Sequence, residues 1–324
     1  MKTASRTSLG GATLLVIDWG TSSLRGALLD AQGQVLQERS SGQGILSVPA
    51  GGFNAVFEAQ FGDWARSGVP RCLIAGMAGS KQGWVEAPYC ACPAGFDDVA
   101  AQLAWVESPR LPLPVAIVPG LSCQHASAVF PQDGLPDVMR GEETQVLGAM
   151  QITGLHDGVF VLPGTHSKWV SVRAGRITGF KTYMSGEFYA LLTRHSLLAK
   201  SVAADAAFDS AAFAAGIGQS RNGAGLLHNA FGTRTLSLFG RMDAAALASY
   251  LSGLVIGEEL HAHAADSAAE VVLIGAANLL RPYAQGLAIH GICSRALGAQ
   301  ATWAGLHALA TTLERKVSPS AHPL

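Results

Sequence analysis

The fold of this chain follows from residues 14–29, which read LLVIDWGTSSLRGALL. Two apolar runs typical of β-strands flank a tight turn at Gly20 to Ser23. A further turn at Ala31 to Gly33 leads into a third run that starts at Gln34. The stretch therefore predicts a three-stranded meander in which a carboxylate, Asp18, stands directly before the first turn.

The same pattern returns in the middle of the chain. Residues 158–170 read GVFVLPGTHSKWV, and a turn at Ala174 to Arg176 leads into a strand at Ile177 to Tyr183. Both meanders contain Gly-Thr-x-Ser in their first turn, at Gly20 to Ser23 and again at Gly164 to Ser167. Such a repeat suggests an internal duplication with one copy opening each of two lobes, and two lobes leave a cleft between them.

The rest of the chain predicts an α/β protein. After the first meander, helical and strand patterns alternate at 54–67, 72–77, 97–105 and 115–118. The second half is mainly helical after Tyr183, with strands expected at 271–274 and 287–290. We divide the chain into a flexible leader (1–12), an N-terminal lobe (13–140), a C-terminal lobe (141–315) whose closing helix can pack back on the first lobe, and a tail (316–324).

The composition of the chain limits the classes of partner that it can bind. The 324 residues are 49% apolar and 14% charged with a net charge of −1, which excludes disorder and gives no basic run for nucleic acid or an anionic membrane. No apolar run approaches the ~20 residues that cross a bilayer, and residues 1–11 have no apolar signal-peptide centre. The five cysteines form no CxxC pair, so we expect reduced thiols in the cytoplasm. A homodimer is left open.

The first turn has the groups that bind phosphate. The backbone N–H groups and hydroxyls of Gly20, Thr21 and Ser22 suit phosphate oxygens, and Asp18 could hold Mg²⁺ through water. A lone turn of this kind is more often an ordinary hairpin. Its twin in the second meander favours a pair of phosphate turns that grip a nucleotide from both lobes.

The second turn adds cations to the same chemistry. Gly164 and Thr165 repeat the phosphate-binding pattern, and His166 and Lys168 could neutralise charge on a transferred phosphoryl group, although both could equally be exposed turn residues. A later junction at Gly275-Ala276 takes a buried strand into a helix through small residues. Alone it is typical of close packing, but after two phosphate turns it favours a site for adenine.

A glutamate pair is the candidate for proton transfer. Glu142 and Glu143 open a predicted helix that continues to Met150. A kinase needs a carboxylate to accept the proton of the attacking hydroxyl. Adjacent helical residues point to different faces, so at most one of the two serves, and the alternative is a solvated pair favoured by the helix dipole.

A glycine-rich loop after the strand at 72–77 is the candidate for the acceptor. It offers hydrogen-bonding groups and aromatic platforms suited to a polyhydroxy acid, with Lys81 as a partner for the carboxylate, although a glycine-rich loop with a buried tryptophan is also common. The candidate substrate residues are Gly79, Ser80, Lys81, Trp84 and Tyr89.

Taken together, these segments resemble the 2-dehydro-3-deoxygalactonokinases, a family of the actin-like and sugar-kinase superfamily. The matching segments run in order over nearly the whole chain: residues 17–21, 76–80 with 83–84 and 87–89, 118–121, 138–145, 162–166 with 168–170, 184–187, 195–197 and 251–254. The resemblance implies two ribonuclease-H-like lobes. It also implies ATP- and Mg²⁺-dependent phosphorylation of the terminal C6 hydroxyl of 2-dehydro-3-deoxy-D-galactonate, giving ADP, in galactonate catabolism.

Two departures from the superfamily shape the site expectations. The second turn has Pro163 where an acidic residue is usual, so the metal is expected on Asp18 alone. By analogy with a Gly-x-Glu-Glu segment of exopolyphosphatases, we prefer Glu143 as the catalytic base over Glu142. Gly275-Ala276 replaces a pair of glycines and changes little.

Three alternatives remain open at this point. An exopolyphosphatase-like phosphohydrolase would share the lobes and the glutamates but would transfer phosphate to water. A kinase for the epimeric 2-dehydro-3-deoxygluconate differs in the stereochemistry of one carbon. A non-catalytic actin-like protein would have no need of Lys81, Trp84 and the glutamates.

Overall fold

The computed structural model describes residues 11–108, 111–263 and 270–317. Most of the predicted leader and tail lies outside these ranges. The strands are β1 (Leu14–Trp19), β2 (Leu24–Leu29), β3 (Val35–Ser41), β4 (Cys72–Gly76), β5 (Tyr89–Ala91), β6 (Ala104–Trp105), β7 (Val115–Ile117), β8 (Gly120–His125), β9 (Leu135–Met139), β10 (Gly158–Leu162), β11 (Ser167–Arg173), β12 (Arg176–Tyr183), β13 (Glu270–Ile274) and β14 (Cys293–Leu297). The helices are α1 (Phe53–Ala65), α2 (Phe96–Ala101), α3 (Glu142–Thr153), α4 (Ser185–His195), α5 (Ser210–Ser220), α6 (Gly225–Leu238), α7 (Ala244–His261), α8 (Ala277–Ile289) and α9 (Gln300–Val317).

Both predicted meanders open a mixed sheet. The first sheet has the order β3-β2-β1-β4-β7-β6, in which β1 pairs antiparallel with β2 and parallel with β4. The second has the order β12-β11-β10-β13-β14, in which β10 pairs antiparallel with β11 and parallel with β13. A meander followed by parallel strands on the other side of its first strand is the ribonuclease-H-like topology. The prediction of two such copies is confirmed.

The chain divides into two compact units. Unit 1 comprises the described residues of 1–156, 173–179 and 299–324, and unit 2 those of 157–172 and 180–298. This division places α3 in unit 1, on the other side of the boundary predicted between residues 140 and 141. The closing helix α9 also belongs to unit 1, where it packs against α3 and contacts β1 and β4.

Two local expectations are wrong. The predicted strand at 287–290 is the end of α8, because Leu280, Tyr283 and Leu287 recur at spacings of three and four and are buried on one helical face. The strand of this region is β14. The helix expected to reach residue 105 ends at Ala101, and β6 follows it as an edge strand paired with β7.

Each unit has its own apolar core. In unit 1, α1 buries Phe57, Phe61 and Trp64 together with Ile17 and Ile74 of the first sheet. In unit 2, a second cluster joins residues of β10, β11 and β13 to residues of α5, α7 and α8. Within the described ranges, no helix combines the length and hydropathy needed to span a membrane.

Glycines let two pairs of helices pack with their backbones in contact. In unit 2, a Cβ on Gly216 of α5 would overlap the carbonyl oxygen of Tyr250 in α7, and a Cβ on Gly253 of α7 would overlap that of Phe213. In unit 1, Gly148 of α3 meets α9 in the same way, where its Cβ would overlap the carbonyl oxygen of Ala301. These contacts set how closely the helices approach.

Replacing Gly216 by alanine tests this packing. We expect Gly216→Ala to lower the free energy of unfolding by roughly 2–3 kcal/mol, because the new methyl group meets backbone that cannot move aside cheaply. The matched control is Gly218→Ala in the same helix, where no atom lies within 4 Å and the better helix propensity of alanine should leave stability equal or slightly higher. Equal urea-unfolding midpoints for the two variants would contradict the close contact.

Candidate active site

The first Gly-Thr turn joins β1 to β2 in unit 1. Gly20 N–H donates to Ser23 O at 2.9 Å, and the side chains of Thr21 and Ser22 are exposed. The turn is supported from behind because Ile45 N–H donates to Gly20 O at 3.0 Å. The predicted phosphate turn is therefore a supported hairpin with outward hydroxyls.

Asp18 stands at the end of β1 beside this turn. Its Oδ2 accepts from Arg25 Nη2 at 2.5 Å across the β1–β2 pair. On its other side lies Gly76 at the end of β4, where a Cβ would come within 3.3 Å of Asp18 Oδ1 and 2.8 Å of Trp19 O. Gly76 has φ +92°, so glycine is favoured there both by conformation and by space.

The carboxylate of Asp18 fits the Mg²⁺ expected of a kinase. Among the described residues, no group of three or more His, Cys, Asp or Glu side chains could hold a metal ion. Mg²⁺ commonly binds through one or two carboxylates, with phosphate oxygens and water completing its octahedron. A single partly buried aspartate next to a phosphate-type turn matches that donor set.

Glu143, in the first turn of α3, is fully buried in unit 1. Its Oε2 accepts from Gly141 N–H at 2.7 Å, and its Oε1 accepts from Thr144 Oγ1 at 3.0 Å. Burial, with a smaller contribution from the charge of Glu142, raises the pKa of the Glu143 carboxyl to about 8. Glu142 is only partly buried, and its Oε2 accepts from Arg140 N–H at 3.0 Å.

Close backbone contact brings Glu143 and Asp18 into one neighbourhood. Gly141, which donates to Glu143, has φ +104°, and a Cβ on it would lie 3.3 Å from the Cα of Gly76. Gly76 in turn lies against Asp18. Unit 1 therefore holds a buried carboxyl of raised pKa, a partly exposed aspartate and the first turn around one pair of glycines.

The second Gly-Thr turn joins β10 to β11 in unit 2. Thr165 and His166 are exposed, and His166 Nε2 lies 2.6 Å from Glu187 Oε2. Lys168 is buried in β11, with its Nζ donating to Thr182 Oγ1 at 2.8 Å. Both side chains thus have protein partners, and their predicted role at phosphate stays a prediction. The counterpart of Asp18 is buried Leu162, two residues before Gly164, and not Pro163 as the sequence suggested, because Asp18 likewise stands two residues before Gly20.

A buried carboxyl organises the region behind this turn. The Glu259 cluster consists of Glu259 of α7 and four donors from three other elements. Ser167 Oγ and Trp169 Nε1 each donate to Oε1 at 2.5 Å, while Tyr283 OH donates to Oε2 at 2.8 Å and Ser185 Oγ donates to the same oxygen. Burial raises the pKa of the Glu259 carboxyl, and its four donors act in the opposite direction.

A pocket of about 170 Å³ lies within unit 2 beside the Glu259 cluster. Its walls come from the second turn, from the starts of α4 and α8 and from the middle of α7. They are formed by Pro163, Gly164, Ser185, Gly186, Tyr189, Ser252, Val255, Ile256, Asn278, Leu279, Pro282 and Tyr283. The predicted adenine junction adjoins this pocket, because Ala276 caps α8 and a Cβ on Gly275 would lie 3.8 Å from Pro163 O.

The sugar-acid loop follows β4 in unit 1. Lys81 and Tyr89 are exposed, whereas Trp84 packs on Phe53 with parallel rings 6.3 Å apart. Ser80 Oγ is buried without a hydrogen-bond partner. Gly79 lies against the guanidinium of Arg140, for which the sequence predicted no role.

Sequence reasoning also missed the pocket wall on α4 and α7. Ser185, Gly186 and Ser252 fall in segments that carried the family resemblance, but nothing in their local pattern indicated a ligand. Glu259 lies near the end of a mainly apolar helical segment, where its local pattern indicates no role. Its four donors lie 24 to 92 residues away along the chain, so no local signal marks it.

Two ribonuclease-H-like units, each with a Gly-Thr turn after its first strand, define a member of the actin-like ATPase and sugar-kinase superfamily. Comparison with known proteins agrees. The model of the 2-keto-3-deoxy-galactonokinase family matches residues 18–309. A probable 2-dehydro-3-deoxygalactonokinase of Rhizobium meliloti (strain 1021) is 35% identical over 303 residues, which are 92% of this chain and 96% of that protein.

Two further relatives extend this likeness. The 2-dehydro-3-deoxygalactonokinase of Escherichia coli (strain K12) is 32% identical over 313 residues, 92% of this chain and 98% of that protein. A crystal structure from Sinorhizobium meliloti, described as a candidate 2-dehydro-3-deoxygalactonokinase, superposes with a TM-score of 0.83 at 34% identity and covers 95% of this chain and 100% of that one. The chain belongs to the 2-keto-3-deoxy-galactonokinase family, whose members are kinases.

Replacing Glu259 tests the cluster that supports the pocket. Glu259→Gln presents an amide NH₂ to two of the buried donors, so we expect unit 2 to lose roughly 2–4 kcal/mol of unfolding free energy. Tyr283→Phe removes one donor and should cost only about 1 kcal/mol. As a control, Glu270→Gln breaks a partly exposed pair with Arg295 and should cost well under 1 kcal/mol. Equal urea-unfolding curves for the Glu259 and Glu270 variants would rule out the supporting role.

Proposed function

We propose that this kinase transfers the terminal phosphoryl group of ATP to the C6 hydroxyl of 2-dehydro-3-deoxy-D-galactonate, giving the 6-phosphate and ADP, as a step of galactonate catabolism. Membership of the family supports the acceptor class. The observation that carries the chemistry is the buried carboxyl of Glu143, whose pKa of about 8 lies near neutrality.

Glu143 is the catalytic base in this proposal. Its carboxylate accepts the proton of the acceptor hydroxyl as that oxygen bonds to phosphorus. A base is most effective when its pKa lies near the working pH, because it is then both available as carboxylate and basic enough to take the proton. The N–H of Gly141 and the hydroxyl of Thr144 hold the carboxyl in one orientation.

Asp18 and the first turn are the phosphate side of unit 1. We assign Gly20, Thr21 and Ser22 to phosphate oxygens and Asp18 to Mg²⁺, directly or through water. When bound, Mg²⁺ neutralises negative charge on the phosphates. Arg25 fixes one oxygen of Asp18, which keeps the carboxylate oriented next to the turn.

Unit 2 is the nucleoside side. The pocket between the second turn, α4, α7 and α8 presents serine and asparagine groups among apolar side chains, which suits a flat ring with a few polar edges. We assign adenine to this pocket next to Gly275 and Ala276, and phosphate to Gly164 and Thr165. A Cβ on Gly186 would overlap the carbonyl oxygen of Gly164, so the start of α4 supports the turn directly.

We place the enzyme in the cytoplasm, where its small-molecule substrates are available. Cys72, Cys90, Cys92 and Cys293 are free thiols, which suits a reducing compartment.

A coupled ADP-release assay tests the reaction. We expect release with ATP, Mg²⁺ and 2-dehydro-3-deoxy-D-galactonate, and little without acceptor. A parallel reaction contains the gluco epimer, and another contains inorganic polyphosphate in place of ATP. Equal ADP release with and without acceptor would refute the kinase assignment, phosphate release from polyphosphate would favour a phosphohydrolase, and activity with the gluco epimer alone would overturn the substrate assignment.

The Glu143→Gln variant tests the base. We expect kcat to fall by ~10²–10⁴-fold while the Kd for ATP changes little, because the amide cannot accept the proton. For the wild type, kcat/KM should rise with pH and level off above about 8, since a base acts as carboxylate and the carboxylate forms as pH passes its pKa.

Glu142→Gln is the matched control, because it makes the same change one residue away, at a side chain whose Oε2 accepts from Arg140 N–H. Its kcat should stay within a few-fold of the wild type. If Glu142→Gln loses activity while Glu143→Gln keeps it, the base is Glu142.

A further inference from the structure

Arg140 lies between β9 and α3, three residues before Glu143. Its Nη2 donates to Ala87 O at 2.9 Å, and its guanidinium carbon sits 4.4 Å from the centroid of the Tyr89 ring. The side chain is thus fixed by a backbone carbonyl and an aromatic face, both in the segment that ends the sugar-acid loop. Neither contact supplies a negative charge.

The remaining donors of this guanidinium have no partner. Arg140 Nε and Nη1 are buried, and within the described ranges neither donates a hydrogen bond and no carboxylate pairs with the side chain. Leaving a buried donor of a charged group unmatched costs more than leaving a neutral one, so proteins rarely do it without a reason. A ligand with a negative charge and acceptor oxygens would remove the mismatch.

A second unmatched donor belongs to the residue that follows the point of contact with Arg140. Ser80 Oγ is also buried without a partner. Its neighbour Gly79 is the residue that touches Arg140, because a Cβ there would come within 2.8 Å of Nη1. Both segments follow strands of unit 1, and the ends of β-strands in α/β sheets are common ligand sites.

We propose that Arg140, assisted by the hydroxyl of Ser80, binds the carboxylate of the sugar-acid acceptor and so determines that the enzyme takes an acid. This inference rests on the proposed function. The planar guanidinium matches a carboxylate in shape and charge and is more rigidly placed than a lysine ammonium. Glycine at position 79 avoids the clash that a Cβ would make with Nη1.

Arg140 takes the role that the sequence predicted for Lys81. Lys81 was the expected partner of the carboxylate, but its side chain is exposed to solvent. A charge in water contributes less to binding than one already removed from water and held in place. Arg140 is also only three residues before Glu143 in the sequence. One short segment would therefore bind the carboxylate of the acceptor and supply the base for its hydroxyl group.

The test compares the natural acid with its C1 carboxamide. The amide keeps every hydroxyl but lacks the charge. The acid-to-amide ratio of kcat/KM should be large for the wild type and should fall by about 10–100-fold in Arg140→Gln, through loss of activity on the acid. Calorimetric titration of both compounds without nucleotide should give the same fall in the ratio of affinities, with the Kd for ATP unchanged.

Arg39→Gln is the matched control. Arg39 also stacks on an aromatic ring in unit 1, with its guanidinium carbon 4.0 Å from the Trp64 centroid, but its donors are satisfied by Gln60 O and the carboxylate of Asp63. Its acid-to-amide ratio should equal that of the wild type. In Lys81→Gln the ratio should likewise stay within a few-fold of the wild type.

The results of these assays distinguish failure of the role of Arg140 from failure of the proposed function. A wild type without acceptor-dependent ADP release refutes the proposed function. A wild type that phosphorylates the acid, with an unchanged ratio in Arg140→Gln or a collapsed ratio in Lys81→Gln alone, refutes only the role of Arg140. If Arg140→Gln fails to fold, Arg140→Lys and Ser80→Ala decide, because each should lower the ratio by about tenfold and an unchanged ratio in both overturns the proposal.

Discussion

The candidate active site of unit 1 depends on backbone contact at glycines. A Cβ on Gly141 would lie only 3.3 Å from the Cα of Gly76, and a Cβ on Gly76 would collide with the carbonyl oxygen of Trp19. These contacts place the start of α3 near the end of β1. Further along α3, Gly148 lies against α9 and fixes the direction of the helix. The buried position of Glu143, its raised pKa and its neighbourhood with Asp18 all follow from how closely α3 can approach.

In unit 2, the elements around the pocket are held together by a buried carboxyl in addition to glycine contacts. The Glu259 cluster ties α7 to β11, to the start of α4 and to α8, which are the elements around the pocket. Four donors on one carboxyl leave little freedom to the groups that make them, because a buried donor that lost its acceptor would be costly. The pocket is therefore rigidly built on its inner side, while the exposed turn at Thr165 stays accessible.

The two units share a sheet topology while the chemistry of their sites differs. Apart from the extra edge strand β6 of the first sheet, both sheets have the same strand order around a central first strand. Asp18 of the first unit nevertheless corresponds to buried Leu162 in the second. The buried acidic groups differ as well. Glu143 of unit 1 accepts from Gly141 N–H, and Gly141 lies against Gly76 beside Asp18, whereas Glu259 of unit 2 accepts from Ser167 directly after the second turn. This asymmetry agrees with the proposed function, in which unit 1 binds the acceptor and accepts its proton while unit 2 binds the nucleoside.

The sequence by itself determined the two meanders, their Gly-Thr turns and the α/β class, because these depend on local periodicity and turn chemistry within about 25 residues. It also singled out Glu142 and Glu143, but their adjacent positions could not show which is buried. Only the tertiary structure decided which of the two is buried. It alone also revealed the unmatched donors of Arg140, the Glu259 cluster and the end of α8. Burial and hydrogen-bond partners come from residues distant in the chain, and their positions exist only once the backbone has packed.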